Sequence, residues 1–134
     1  MSYAIVRNDK LTRSQSIGIC IHNDRKAKNH SNKKIDISKS HLNYYFKKNE
    51  LSYTKEFDRL RKKYDLQGQI RSNSIIMCEM IFTSDKEFFD TIGIEETKRY
   101  FEESYKFICN YKNLGEKNII SAVVHFDETT PHMH

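Results

Sequence analysis

The chain has 134 residues, enough for one domain around one hydrophobic core. Apolar residues make up 37% and charged residues 31%, so the core is thin and rests on 16 Phe and Tyr without any Trp. The net charge of +5 is uneven, because residues 25–63 carry 13 Lys or Arg against 4 Asp or Glu while the rest of the chain is acidic. No apolar run is long enough for a signal peptide or a membrane span, and the opening Met-Ser-Tyr-Ala-Ile-Val is too short for either. Cys20, Cys78 and Cys109 are odd in number and widely spaced, which argues against a disulfide framework. They read as reduced core residues of a cytoplasmic protein.

In chain order, residues 3–7 read as a first strand with β-branched Ile5 and Val6. Residues 16–25 read as a helix capped by Ser14 or Ser16, which puts His22 and Arg25 one turn apart on one face. Residues 26–40 are polar and basic and read as a loop. Residues 41–46 read as a strand with Leu42, Tyr44 and Phe46 on one side. Residues 52–64 place Tyr53, Phe57, Leu60 and Tyr64 at helical spacing, and residues 67–73 read as a connection.

Residues 74–83 are the most apolar run and read as a central strand. Ser84-Asp85-Lys86-Glu87 fits a capping box opening a short helix to about Thr91. A longer helix over residues 95–112 turns Phe101, Tyr105 and Ile108 inward, and Asn113-Leu114-Gly115 ends it with Gly115 left-handed. Residues 119–126 read as a second core strand, with Ile120, Val124 and Phe126 alternating with Val123 and His125. The beginning of another strand follows. This order predicts an α+β fold, a two-layer sandwich whose open central sheet is mostly antiparallel and flanked by helices. A chain that stops at His134, where a strand begins, reads as one domain over residues 1–134, truncated at its C-terminal end.

Two features point to chemistry. The basic block is interleaved with His41, Asn43, Tyr44, Tyr45 and Tyr53, a pattern suited to a polyanion, since Lys and Arg neutralise phosphates and tyrosine rings stack on unpaired bases. His30 and His41 lie in that block without an assigned role. The last ten residues hold three of the six histidines. His132 and His134 are two apart and leave one face of a strand, while His125 closes the preceding strand. Three imidazoles aimed at one point can bind a divalent ion and leave positions open for water or a phosphate oxygen. Asp127 or Glu128 can accept a hydrogen bond from a ligand's second ring nitrogen. His22, with Arg25 nearby to hold a phosphate, is the best distant candidate for a nucleophile, and its attack on phosphorus would give a phosphoramidate.

These residues together resemble a known family. His22-Asn23-Asp24-Arg25 resembles the first motif of the MobV (Mob/Pre) plasmid mobilisation relaxases, and Ser40-His41-Leu42-Asn43-Tyr44 the second. His125-x-Asp127-Glu128-x-x-Pro131-His132-Met133-His134 resembles the third, a histidine–hydrophobic–histidine signature. The opening Met-Ser-Tyr, the Ser31-Asn32 pair and Thr83-Ser84-Asp85 followed by Phe88-Phe89 are similar as well. The second motif departs from the family, with Tyr45-Phe46 where an acidic residue and a leucine are usual.

The resemblance implies the N-terminal relaxase domain of an HUH endonuclease. It would nick and rejoin one strand of plasmid DNA at an origin of transfer, recognised in single-stranded or hairpin form. His125, His132 and His134 would bind Mn²⁺ or Mg²⁺, and His22 would be the covalent nucleophile. Arg25 would position the scissile phosphate and contact DNA, Glu128 would support catalysis, and Asn43 and Tyr44 would bind DNA or shape the site. Longer family members carry C-terminal regions for homodimerisation and membrane association. An alternative reading is a truncated, non-catalytic DNA-binding remnant of such a relaxase. A hydrolase of small phosphoesters is a weaker one, disfavoured by the basic block.

Overall fold

A computed structural model describes residues 1–27 and 32–134. His30 of the basic block and Ser31 of the Ser31-Asn32 pair lie outside the described residues. Five strands, β1 (Ile5–Thr12), β2 (Tyr44–Lys47), β3 (Ile75–Thr83), β4 (Ala122–His125) and β5 (His132–Met133), form one sheet in the order β1-β3-β5-β4-β2. Every pairing is antiparallel. The helices are α1 (Arg13–Asn23), α2 (Tyr53–Lys63) and α3 (Lys86–Asn110). The expected α+β architecture is what the chain adopts. Among the described residues no helix is long and apolar enough to cross a membrane.

β1 runs five residues beyond the expected Arg7 because it is an edge strand. Asn8, Asp9 and Lys10 pair with Met80, Glu79 and Cys78 while staying exposed, and such an edge tolerates polar residues that sequence patterning reads as loop. The next helix therefore starts earlier. Thr12 caps α1 in a reciprocal box, accepting from Gln15 N at 3.4 Å while Gln15 Oε1 accepts from Thr12 N at 2.9 Å. Ser14 and Ser16 do not cap; Ser16 is buried and donates to Thr12 O at 2.8 Å. α1 ends at Asn23, and Arg25 adopts a left-handed φ of 52°, so His22 and Arg25 do not share a helical face.

The segment expected as loop and strand around residues 37–42 forms a short 3-10 helix (Ile37–Leu42), which leaves Leu42 half exposed. Tyr44 and Phe46 turn to the same side as expected, their rings 5.5 Å apart, although the register with β4 shifts between Tyr45 and Lys47. Ser52 caps α2, accepting from Lys55 N at 3.4 Å. β3 is interior but not central; the centre of the sheet is β5, two residues held between β3 and β4. The α3 cap is Asp85, accepting from Phe88 N at 2.9 Å, while Ser84 Oγ donates to Tyr3 O at 2.8 Å. Two helices expected around residues 84–112 meet end to end at Gly93, whose φ of 79° only glycine adopts without strain. α3 stops at Asn110, two residues before the expected end, and Gly115 is left-handed with φ 79° as expected.

The core lies between α3 and one face of the sheet. Phe82, Phe89, Phe101, Val124 and Met133 are buried there, with Tyr44, Phe46, Tyr100, Tyr105 and Phe126 packed around them. Ring pairs such as Phe89–Phe101 at 5.5 Å and Phe46–Tyr105 at 5.0 Å add about 0.5–1.5 kcal/mol each beyond buried area. The opposite face of β4 and β5 looks toward α1. All three cysteines are free, but only Cys20 is buried; Cys78 is exposed and Cys109 partly so, which corrects their assignment to the core.

Candidate metal centre

β4 and β5 set the site by register. His125 pairs with His132, and His134 exchanges backbone hydrogen bonds with Val123 at 2.9 and 3.0 Å. Residues opposite one another, and residues two apart, share a face, so His125, His132 and His134 emerge together. Their ring centroids are 4.8–5.3 Å apart, and one ring nitrogen from each lies within 4.8 Å of the others.

Each ring has one nitrogen committed to an acceptor. His125 Nε2 donates to Asn23 O at 2.8 Å, His132 Nδ1 to Thr130 O at 2.9 Å, and His134 Nδ1 to Glu79 Oε2 at 3.2 Å. A carbonyl or carboxylate can only accept, so the bonded nitrogen carries the hydrogen and the other keeps its lone pair. Among the described residues, His125 Nδ1 and His134 Nε2 are buried without a partner. A buried unsatisfied polar atom costs about 1–3 kcal/mol, and a divalent ion would use those lone pairs. Burial, with the neighbouring imidazoles and Arg25, pushes His125 down to about 2, and burial lowers His132 too, so both are neutral ligands at ordinary pH. The residues present therefore fit a three-histidine ion site. A second grouping, His125 with Asp127 and Glu128, is equally close, but the oxygens of Asp127 are already engaged.

α1 delivers His22 to the mouth of this cluster. Its ring lies 5.9 Å from His134 and 6.2 Å from His125, and its side chain is 35% exposed. Arg25 Nη1 donates to His22 O at 2.7 Å and lies 3.4 Å from His22 Nε2. Burial first, then the Arg25 charge, lowers the His22 pKa. Arg25 grips Asp127 with two hydrogen bonds of 2.8 Å and donates to Glu128 Oε1 at 3.0 Å. Asp127 is fully buried; desolvation would raise its pKa, but Arg25 and Ser40 hold it far below the usual carboxylate range. Glu128 stands 3.8 Å from both His22 Nε2 and His132 Nε2.

The segment before β2 locks this loop from outside. Ser40 Oγ donates to Asp127 Oδ2 at 2.7 Å, Asp36 N to Asp127 O at 2.7 Å, and Phe126 N to Asn43 Oδ1 at 2.7 Å. Tyr44 packs on Phe126 at 5.9 Å inside the aromatic core, and its buried hydroxyl has no partner. The side chains of Asn43 and Tyr44 are thus turned inward. His41 is exposed and bonds Ser38 O at 2.8 Å, away from the cluster.

The family model described as plasmid recombination enzyme (Mob_Pre) matches residues 1–134. The chain belongs to this family. It is 39% identical to a plasmid recombination enzyme of Lactiplantibacillus plantarum, over all of this chain and 37% of that protein. It is also 39% identical to one of Streptococcus agalactiae, over all of this chain and 27% of that protein. The chain thus spans about a third of the curated relatives it matches. Among solved structures, the MobM relaxase domain superimposes with a TM-score of 0.88 at 37% identity, covering 98% of this chain and 68% of that one. That domain was crystallised with Mn and the oriT DNA of plasmid pMV158. Three further residues of this plasmid recombination family member's site take no role from the sequence alone. Ser40 and Asn23 stand inside the second and first motifs without a role of their own. Glu79 did leave a trace, as the one charged residue in the apolar run of residues 75–82.

Proposed function

We propose that this domain is a relaxase core that nicks and rejoins one strand of plasmid DNA at an origin of transfer, through a covalent histidine–DNA phosphoramidate. The observation that carries this reading is the placement of a half-exposed, neutral His22 about 6 Å from an imidazole triad with orphaned lone pairs. A guanidinium can only donate, so Arg25 Nη1 beside His22 Nε2 favours the tautomer with its lone pair on that nitrogen. That lone pair attacks phosphorus. The nitrogen–phosphorus bond forms, and the phosphorus–oxygen bond to the departing strand breaks. The ring's other nitrogen sheds its proton to water, which balances the proton the leaving oxygen takes up. Attack by the freed hydroxyl reverses the step and rejoins the strand.

His125, His132 and His134 would hold Mn²⁺ or Mg²⁺, which supplies Lewis acidity on the scissile phosphate and aligns it for in-line displacement. Three nitrogen donors favour Mn²⁺ over oxygen-preferring Mg²⁺. Arg25 orients His22 from its backbone and, through Asp127 and Glu128, ties the nucleophile's helix to the triad's loop. Asn43 and Tyr44 shape the site from behind, and exposed Lys33, Lys34, Lys39 and Lys48 supply phosphate contacts. Relaxation of supercoiled plasmid bearing a cognate origin tests this. Relaxed circles should form with Mn²⁺, and neither with EDTA nor with His22→Ala. Binding of origin DNA without any nicking would replace this reading with that of a non-catalytic DNA-binding domain.

A further inference from the structure

Glu79 is a carboxylate placed inside an otherwise apolar strand, and its side chain is only 8% exposed. One oxygen, Oε2, accepts from both His134 Nδ1 at 3.2 Å and Asn23 Nδ2 at 3.1 Å. Asn23 Nδ2 also reaches Tyr53 Oη at 3.3 Å, and Asn23 O is the acceptor that fixes His125. One carboxylate and one amide residue therefore set the orientation of two of the three imidazoles. Among the described residues, no Lys or Arg lies within ion-pair distance of Glu79; its only such partner is His134. A buried carboxylate without a cation is costly, and neutral donors repay only part of that cost. A divalent ion on the far side of the His134 ring would complete the compensation.

We propose that Glu79, held by Asn23, is a positioning residue of the metal centre. It keeps His134 in the Nδ1–H tautomer with Nε2 facing the ion, and its charge makes that imidazole a stronger donor. This rests on the metal reading above. The acidic residues nearest in sequence to the triad do not serve this way, since Asp127 is engaged by Arg25 and Ser40, and Glu128 stands near Arg25, His22 and His132 rather than His134. Loss of a residue orienting a ligand typically weakens metal binding about 10–100-fold.

The test is Glu79→Gln, which keeps the shape and an acceptor oxygen but removes the charge. Mn²⁺ affinity is measured by electron paramagnetic resonance of the free ion, and stability by urea unfolding in EDTA. The expected result is Mn²⁺ binding weaker by about tenfold or more, with metal-free stability equal to or above that of the unaltered protein. A merely structural Glu79 would lose stability in EDTA and leave the Mn²⁺ affinity of the folded protein unchanged, which would overturn the proposal. If the unaltered protein bound no Mn²⁺, the metal reading itself would fall and this inference with it.

Discussion

Val124 and Met133 point one way from the middle of the sheet, and their neighbours His125, His132 and His134 point the other. On the first side Phe82, Phe89 and Phe101 close over the two residues and the packing is largely aromatic, although the buried Tyr44 hydroxyl beside them has no partner among the described residues. On the second side, toward α1, each imidazole of the triad is held by one hydrogen bond, and two ring nitrogens have no partner among the described residues. The same two strands thus carry apolar packing on one face and unsatisfied polar groups on the other, separated by a shift of one residue. The lesson is that the well-packed face supports the one that holds unsatisfied ring nitrogens, the arrangement the proposed ion site needs.

Breaking the stable face should cost most. Phe101 is completely buried, and Phe101→Ala should lower the unfolding free energy by about 3–5 kcal/mol through lost contacts and a cavity. Urea unfolding in EDTA would show it, and the folded fraction should still bind Mn²⁺. Asp127→Asn comes next. It leaves the largely buried Arg25 guanidinium short of its main partner, a break worth about 3 kcal/mol at most. It should also abolish nicking out of proportion to that loss, because His22 depends on Arg25 for its orientation. Stability compared with nicking rate across a set of matched temperatures would separate the two effects.

Changes on the unsatisfied face should cost the apo fold little. His132→Ala should shift EDTA stability by about 1 kcal/mol or less. It should remove the metal-linked stabilisation that the unaltered protein gains, about 2.7 kcal/mol when free Mn²⁺ is a hundred times its dissociation constant. Thermal unfolding with and without Mn²⁺ reads both. A large loss of apo stability in His132→Ala would mean that the histidines are packing residues and that the two faces do not divide the work.

How much of this was legible in the sequence follows from the range of the interactions. His132 and His134 share a face by parity alone, and His125 joins them through one turn, so the triad is a short-range pattern. The helical spacing over residues 52–64 and the left-handed Gly115 are local for the same reason. The start of α1 differs from the expected one because β1 is an edge strand, and a polar edge has no periodicity to read. The end of α1 differs because Arg25 leaves the helix to reach Asp127, a partner 102 residues away. Glu79 gives no such pattern, because its contact with His134 exists only once β3 and β5 are neighbours, bringing together residues 55 apart in the chain. The roles of Asn43 and Tyr44 likewise depend on Phe126, more than 80 residues away.

The central claim is that His22, and neither Tyr44 nor Tyr45, attacks the phosphate. The most direct measurement traps the covalent protein–DNA adduct formed with Mn²⁺ on an origin oligonucleotide and maps the modified residue by mass spectrometry. An acid-labile phosphoramidate is expected on the peptide carrying His22. An acid-stable phosphotyrosyl bond at Tyr44 or Tyr45 would contradict it.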